Sequence, residues 1–509
     1  MKKFQPLIYA LLICAGIIIG STKSDHTSNR GNNKINGIIN LINQHYVDTI
    51  NTTDFEEKTI NAILNELDPH SAYIPAKKYQ AVEEDMQGSF SGIGVQFNII
   101  DDSIVVVSAI SGGPSEKLGI QSGDRIVTVG NEDVASTGIN NEGVIKRLRG
   151  EKGSVVNINI KRRGQNDFIP FAIVRDDIPL YSVDAGIMLQ DDIGYLKINR
   201  FAATTYEEMM GKVNFLQKEG LQKLILDLRG NPGGYLHIAN QMCDEFLKDG
   251  ELIVFTEGRN RTKEEIFATE KGRLENINII VLIDEGSASA SEIISGAIQD
   301  NDRGLVIGRR SFGKGLVQEQ IAMKDGSVIR LTTQRYYTPS GRCIQKEYGK
   351  NKKDYYSEQY TRNKKKVNSD SLIYTTKNGR TVYGGGGITP DIIIKRDSLV
   401  NYLQINLMVS NGWVNEFCLN ESVEFRKFEI GNTKNLFFSS NNQDEIYNRF
   451  IDFIKQKDEK IKLNIGEMEQ VYFKNFLKAT IARNLWDAEI YYEILSKEDV
   501  FIQKAINLF

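Results

Sequence analysis

The stretch Ile277-Asn-Ile-Ile-Val-Leu-Ile283, followed by Gly286-Ser287-Ala288-Ser289-Ala290-Ser291-Glu292 and then Ile293-Ile-Ser-Gly-Ala-Ile298, decides the fold. The first segment is a short apolar run with the length of a buried strand. The last has the apolar spacing of a helix, and the serine-rich turn joins them. A serine at such a junction sits near a helix N-terminus, where free N–H groups and the dipole favour developing negative charge. Working outward, the same alternation recurs. Strands are predicted at Ile193–Ile198, Lys223–Asp227 and Leu305–Ile307, with helices at 204–219, 235–247 and 290–299. Alternating strands and helices predict an α/β layered core.

The serine run acquires chemistry from a lysine 25 positions after Ser289, in Phe312-Gly313-Lys314-Gly315. A serine hydroxyl is a weak nucleophile until a base takes its proton, and a lysine can do so only when neutral. Lys314 lies among Phe312, glycines and Leu316-Val317, a setting that suits a desolvated amine, because burial disfavours the ammonium form. Gln318 can orient that amine by hydrogen bonding. The segment from Gly308 to Gly315 nearly matches a phosphate-binding loop. The residue after its lysine is glycine rather than Ser or Thr, however, and a strand rather than a helix follows. Ser311-Phe-Gly-Lys314 matches S-x-x-K, without the companion motifs of penicillin-recognising enzymes. The four histidines (His26, His45, His70 and His237) are read as structural, which leaves few candidates for a Ser-His-Asp triad.

Two glycine-rich turns complete the pattern. Asp227-Leu-Arg-Gly-Asn-Pro-Gly-Gly234 follows a buried strand and precedes a helix. Its backbone N–H groups can converge on one spot, as an oxyanion hole requires. Ala290 N–H, after the nucleophile, is one expected donor, and Gly233 or Gly234 supplies the other. Ser91-Gly92-Ile93-Gly94-Val95 opens a block of short β-rich runs that closes near Pro179. Successive glycines before a strand can cradle a carboxylate while the strand edge pairs with an extended peptide.

The bulk numbers narrow the class. At 509 residues the chain has room for two to four domains, and its 40% hydrophobic and 25% charged content is that of ordinary globular proteins. A net charge of −3 gives no footprint for nucleic acid. Four scattered cysteines (Cys14, Cys243, Cys343 and Cys418) form neither a disulfide framework nor a metal-ligand spacing. Lys2 and Lys3 precede the apolar run Leu7–Ile19, which is shorter than the roughly 20 residues of a full span. Residues 1–24 are therefore expected to be a signal peptide or an uncleaved membrane anchor, with the remainder exported. Residues 34–84 read as an N-terminal helical segment, Lys346–Lys366 as an exposed flap, and 398–509 as a C-terminal helical extension.

Taken together and in order, Ser91–Val95 with Gly113–Ile126, Asp227–Gly234, Gly286–Glu292 and Phe312–Gln318 resemble the carboxyl-terminal processing (tail-specific) serine proteases, peptidase family S41. The resemblance extends over about residues 34–395. It implies a ClpP/crotonase-like β–α spiral protease core (178–397) with an inserted PDZ domain (85–177). It also implies Ser289 as nucleophile, Lys314 as general base and Gln318 as its orienting partner. Gly92, Ile93, Gly94 and Val95 would then hold a substrate's C-terminal tail. Arg149, in Leu148-Arg-Gly-Glu-Lys-Gly153, matches a PDZ motif of the family and would link tail binding to activation. The implied partners are proteins with exposed C-terminal tails, acted on without a cofactor or metal on the periplasmic side of an inner membrane. A homodimer is left open.

Overall fold

The computed structural model describes residues 32–349, 351–361, 372–395, 407–428, 437, 443–458 and 466–509. The expected export segment, residues 1–24, lies outside the described residues. Among the described residues no helix is long and apolar enough to cross a membrane. The chain divides into two units, Met1–Leu67 and Asp68–Phe509. The first contains the helices Asn32–His45 and Thr52–Asn65, the latter capped by Asn51, whose side chain accepts the Asp54 N–H. The segment read as 34–84 is thus split. Ala72–Ile74 is a strand paired with Val328–Arg330, and Ala76–Gln87 is a helix, both in the second unit. Pro69 marks the break, since the residue before a proline avoids helical geometry.

Within the second unit, residues 89–179 build a small β-rich domain around Ile104, Val106, Ile126, Val144, Ile158 and Ile173. Its edge strand β1 (Val95–Ile100) pairs antiparallel with Ser103–Ala109, and helix α1 (Asn141–Leu148) packs its buried Val144 and Leu148 into the same core. Asn140 caps α1 by accepting the Gly143 N–H.

The core that follows is a six-stranded sheet of β2 (Val183–Gln190), β3 (Ile193–Ile198), β4 (Lys223–Asp227), β5 (Asn278–Ile283), β6 (Leu305–Gly308) and β7 (Ile392–Ile393), in that spatial order. Only the β2–β3 pairing is antiparallel. Strands β3 to β6 are buried on both faces, which is why they read as continuous apolar runs. Leu224, Leu226, Ile279 and Val281 face the helices Thr205–Lys218, Leu236–Phe246 and α2 (Ala290–Asp300). Ile225, Ile280 and Leu282 face the chain's last helix, α3 (Val500–Ile506). Burying one such side chain stabilises the fold by about 1.5–3 kcal/mol. Beside this sheet, Leu316–Ala322 and Val328–Tyr337 form an antiparallel pair with a bulge between Val317 and Gln318. Other helices of the extension pack around a separate core that includes Phe417, Phe450, Phe473 and Leu477.

Candidate active site

Three loops meet at the ends of the core strands. The serine turn after β5 leads into α2, and the three hydroxyls it offers have different fates. Ser287 is buried and donates to Leu228 O (2.8 Å), and Ser291 is buried and donates to Asn231 O (2.9 Å). Ser289 keeps part of its surface open and has φ +56°, ψ −114°, a region that a residue with a side chain occupies only when its surroundings hold it there. It sits at the N-terminus of α2. Ser311, the serine of the S-x-x-K match, is fully buried, donating to Glu292 Oε1 (2.6 Å) and accepting the Ile388 N–H (2.6 Å).

Glu292 joins the serine and lysine loops, a role that sequence reading missed. One of its oxygens accepts from Ser311 Oγ and Gly313 N–H (2.6 and 2.7 Å), the other from Lys314 N–H and Ser289 N–H (2.8 and 2.9 Å). Tyr336 completes the clasp from the carbonyl side, its hydroxyl within hydrogen-bond reach of both Ser289 O and Lys314 O. Burial raises the Glu292 carboxyl above the usual range, while its four donors oppose that rise. The only sequence cue is the position of Glu292, three residues into a helix that opens on Ser289, where a carboxylate can accept the N-cap N–H.

Lys314 lies partly buried, and its amine donates to Gln318 Oε1 at 3.0 Å. Desolvation, helped by the charge of Arg330, lowers its pKa from 10.5 to about 8, against the pull of Glu292 and Asp68. The Gln318 Nε2 is buried with no partner among the described residues. Asp68-Pro-His-Ser71, where the proline interrupts the helical pattern of the N-terminal segment, lies beside the lysine. Burial, and then the charge of Lys314, depress the His70 imidazole to about 3, so it is neutral at ordinary pH, and its Nε2 lies 2.8 Å from the Tyr355 hydroxyl.

The same cluster pins the expected exposed flap at two points, while its other described side chains are exposed or partly exposed. Lys346 and Tyr355 are only 5% and 4% exposed, with Lys346 Nζ 3.8 Å from the centre of the Phe312 ring and bonded to Tyr355 O (2.7 Å). A desolvated cation over aromatic faces and an edge-to-face ring pair hold the helix Lys352–Thr361 against the residue two before the lysine. Residues 350 and 362–366 of the flap lie outside the described residues.

The donor loop docks on the serine turn through Asn231, whose carbonyl accepts Ala288 N–H (3.0 Å). The structure separates the two glycine candidates. Gly233 N–H is committed to Asn231 Oδ1 (2.9 Å) and is no free donor. The backbone of Gly233 instead supplies proximity: with φ +103°, a Cβ there would stand 2.7 Å from Ser289 Cβ and 3.0 Å from Ala290 N. Among the described residues, neither Ala290 N–H nor Gly234 N–H has a hydrogen-bond partner.

In the β-rich domain, Gly92 ends a short strand, Ile93 is buried with its carbonyl accepting from Ser115, and Gly94 O accepts Ile110 N–H (2.9 Å) before Val95 opens β1. A groove between β1 and α1, with Asn98, Asn141 and Ile145 in its lining, is also lined by Asn411 and Asn415 of the extension. Arg149 is not in that lining. It pairs with Glu84 and lies over the Phe90 ring, 4.1 Å from its centre.

Comparison with known proteins assigns the class. Residues 192–357 match the model of peptidase family S41, and residues 91–169 match a PDZ domain. A carboxy-terminal-processing protease from Bartonella bacilliformis is 35% identical over 355 residues, 68% of this chain and 80% of that protein. The carboxy-terminal processing proteases CtpB and CtpA of Bacillus subtilis are 32% and 33% identical. The matches cover 64% and 68% of this chain and 68% and 76% of those proteins. These matches define a serine protease that carries a PDZ domain. The chain belongs to the carboxy-terminal processing proteases of peptidase family S41.

Proposed function

We propose that Ser289 and Lys314 form a catalytic dyad that cleaves proteins held by their C-terminal tails. The observation that carries this reading is the fate of the serine hydroxyls. Ser287, Ser291 and Ser311 are buried and bonded, whereas Ser289 stands partly open at a helix N-terminus beside the free Ala290 N–H. In the reaction, neutral Lys314 Nζ takes the Ser289 proton as Oγ bonds to the peptide carbonyl carbon. The C–N bond then breaks, the leaving amine receives that proton from Lys314, and water hydrolyses the acyl-enzyme with the same amine as base. Gln318 fixes the Nζ position. Ala290 and Gly234 N–H are the free candidates for stabilising the oxyanion.

The tail adds as a strand to the open edge of β1, with its carboxylate at Gly92-Ile93-Gly94-Val95. Arg149, bound to Glu84 outside the β-rich core, would couple tail arrival to the neighbouring helix. The Lys2-Lys3 start and the apolar run Leu7–Ile19 support export, to the periplasmic side of an inner membrane, with the protein anchored there or released by cleavage.

The test compares one unfolded protein with a free C-terminal carboxylate against the same protein amidated there, using the intact enzyme and its Ser289→Ala and Lys314→Ala variants. Cleavage that needs both residues and slows on amidation is expected. Full cleavage by either variant would sink the dyad, and indifference to amidation would sink tail recognition.

A further inference from the structure

The extension does more than cover the sheet. Arg229 lies inside the donor loop, two residues after Asp227 and one before Gly230. Its Nε is 3.0 Å from both Asp227 oxygens, while its Nη1 reaches the two oxygens of Asp499 at 3.1 and 2.8 Å. Asp499 is itself fixed, because it caps α3 by accepting the N–H groups of Phe501 (2.9 Å) and Ile502 (3.2 Å). The Phe501 ring then lies against one arginine of the donor loop and another at the start of the lysine loop. Arg229 lies 4.7 Å from its centre and Arg309 4.9 Å. Arg309 is bonded to both oxygens of Glu285 (2.9 and 2.8 Å), four residues before Ser289. One short helix, the last in the chain, therefore anchors an arginine from the donor loop and the arginine that holds the serine turn.

We propose that Asp499 and Phe501 are positioning residues that keep the donor loop in register with Ser289, acting through Arg229 and Arg309. The inference rests on the dyad and donor-loop reading given above. Its physical basis is the way Arg229 is shared. With Asp499 neutralised, the guanidinium keeps Asp227 as a charge partner, so no buried cation is left alone and the fold stands. Nη1 loses its only ionised partner among the described residues, and the arginine is free to follow Asp227. The backbone after Arg229 leads to Gly230 N–H, which shares Asp284 Oδ1 with Gly286 N–H at 2.8 and 2.9 Å. A shift at Arg229 is therefore passed to both loops at once. Displacements of about 1 Å in such constellations cost on the order of 100-fold in rate.

The test is Asp499→Asn in the full chain, read by kcat and KM for cleavage of a tail-bearing protein and by the rate at which a fluorophosphonate labels Ser289. Glu489→Gln is the control. It belongs to the same extension but holds Lys212 (2.7 Å) and the Gly186 N–H, away from the loops. Asp499→Asn is expected to lower kcat about 10- to 100-fold with KM within about twofold, and to slow labelling by a similar factor. Glu489→Gln should leave kcat within about twofold. Wild-type kcat in Asp499→Asn, or an equal loss in Glu489→Gln, overturns the proposal. If Asp499→Asn does not fold, Phe501→Leu, which keeps apolar bulk and removes the ring, decides by the same criteria. Ser289→Ala run in parallel separates the two readings. If it cleaves normally, the dyad has failed. If it is inert while Asp499→Asn is normal, only the positioning role has failed.

Discussion

The serine–lysine loops and the PDZ groove are both made of glycine-rich turns feeding strands, yet they are built in opposite ways. Around Ser289 and Lys314 the polar groups are tied to one another. Glu292 collects four donors, Tyr336 spans two carbonyls, and Asn231 welds the donor loop to the serine turn. In the PDZ domain β1 pairs on one side only among the described residues and offers its other edge. The contrast teaches where each kind of site puts its free energy. A catalytic centre must be organised before substrate arrives, because stabilisation of a developing charge is lost if dipoles have to reorganise. A tail-binding groove must leave main-chain groups unpaired, because the peptide supplies the pairing.

The sharpest way to break the comparison is to exchange the serines. Ser289→Ala should lower turnover by four or more orders of magnitude with little change in melting temperature. Ser287→Ala and Ser291→Ala should cleave at close to the normal rate but unfold more easily, each by about 1 kcal/mol, because a buried carbonyl loses one of its two donors. Denaturant melts run beside peptide cleavage assays separate the two classes. A stable but inactive Ser291→Ala would mean that the nucleophile has been misassigned.

Next in size is Glu292→Gln. An amide cannot accept at both ends, so at least one of the two donor pairs, Ser311 O–H with Gly313 N–H or Lys314 N–H with Ser289 N–H, meets an NH2 instead. A loss of about 100-fold or more in kcat, with about 2–3 kcal/mol of stability, follows from breaking a buried network of this kind. Normal kcat in a folded Glu292→Gln protein would show that the two loops hold their register without the clasp.

How far these loops were legible in sequence depends on distance along the chain. Strands at Ile193–Ile198 and Lys223–Asp227 and the helix opening at Ala290 were placed almost to the residue, because double-sided burial and helical spacing leave local patterns. The choice of loops was legible too, through glycine and serine spacing. What was hidden depended on partners far away. Tyr355 is buried by Phe312 and by the cation of Lys346, although its own neighbours are lysine-rich and read as solvent-facing. The Asp68–Ser71 loop reaches the lysine from the other end of the sequence. The loss of Gly233 as a donor followed from an amide side chain two residues away, which no glycine pattern reports.

The lysine gives a pH test of the organised site. With its pKa at about 8, the neutral fraction falls about tenfold per unit below that value, so kcat/KM should drop roughly 100-fold from its plateau to pH 6. The same shift has a sign for stability. Because the folded-state pKa is below the usual 10.5, the folded protein binds fewer protons than the unfolded chain between about pH 8 and 10.5. Stability therefore rises with pH across that window, and below about pH 8 the full penalty of charging the buried amine is present. Lys314→Met should be inactive and should melt higher than the wild type at pH 7, by about 1–3 kcal/mol, with the difference shrinking towards pH 10. A pH–rate profile flat from 6 to 9 would remove the lysine from the role of base.

The smallest expected effect tests the open half of the comparison. Gly94 has φ +73°, and a Cβ there would approach Ile178 Cδ1 at 3.0 Å and Pro114 Cδ at 3.3 Å. Gly94→Ala therefore forces the turn to relax away from the left-handed conformation that glycine permits. The loop it distorts lies at the head of β1, far along the chain from Ser289, so the tied serine and lysine loops keep their geometry. KM for a substrate with a free tail should rise about three- to tenfold, with kcat nearly unchanged, because lost uniform binding leaves the chemical step alone. An amidated substrate should be cleaved equally by the variant and the parent. If Gly94→Ala instead lowers kcat on both substrates, the groove and the catalytic loops are one organised unit, and the division between a prepaid site and an open one does not hold.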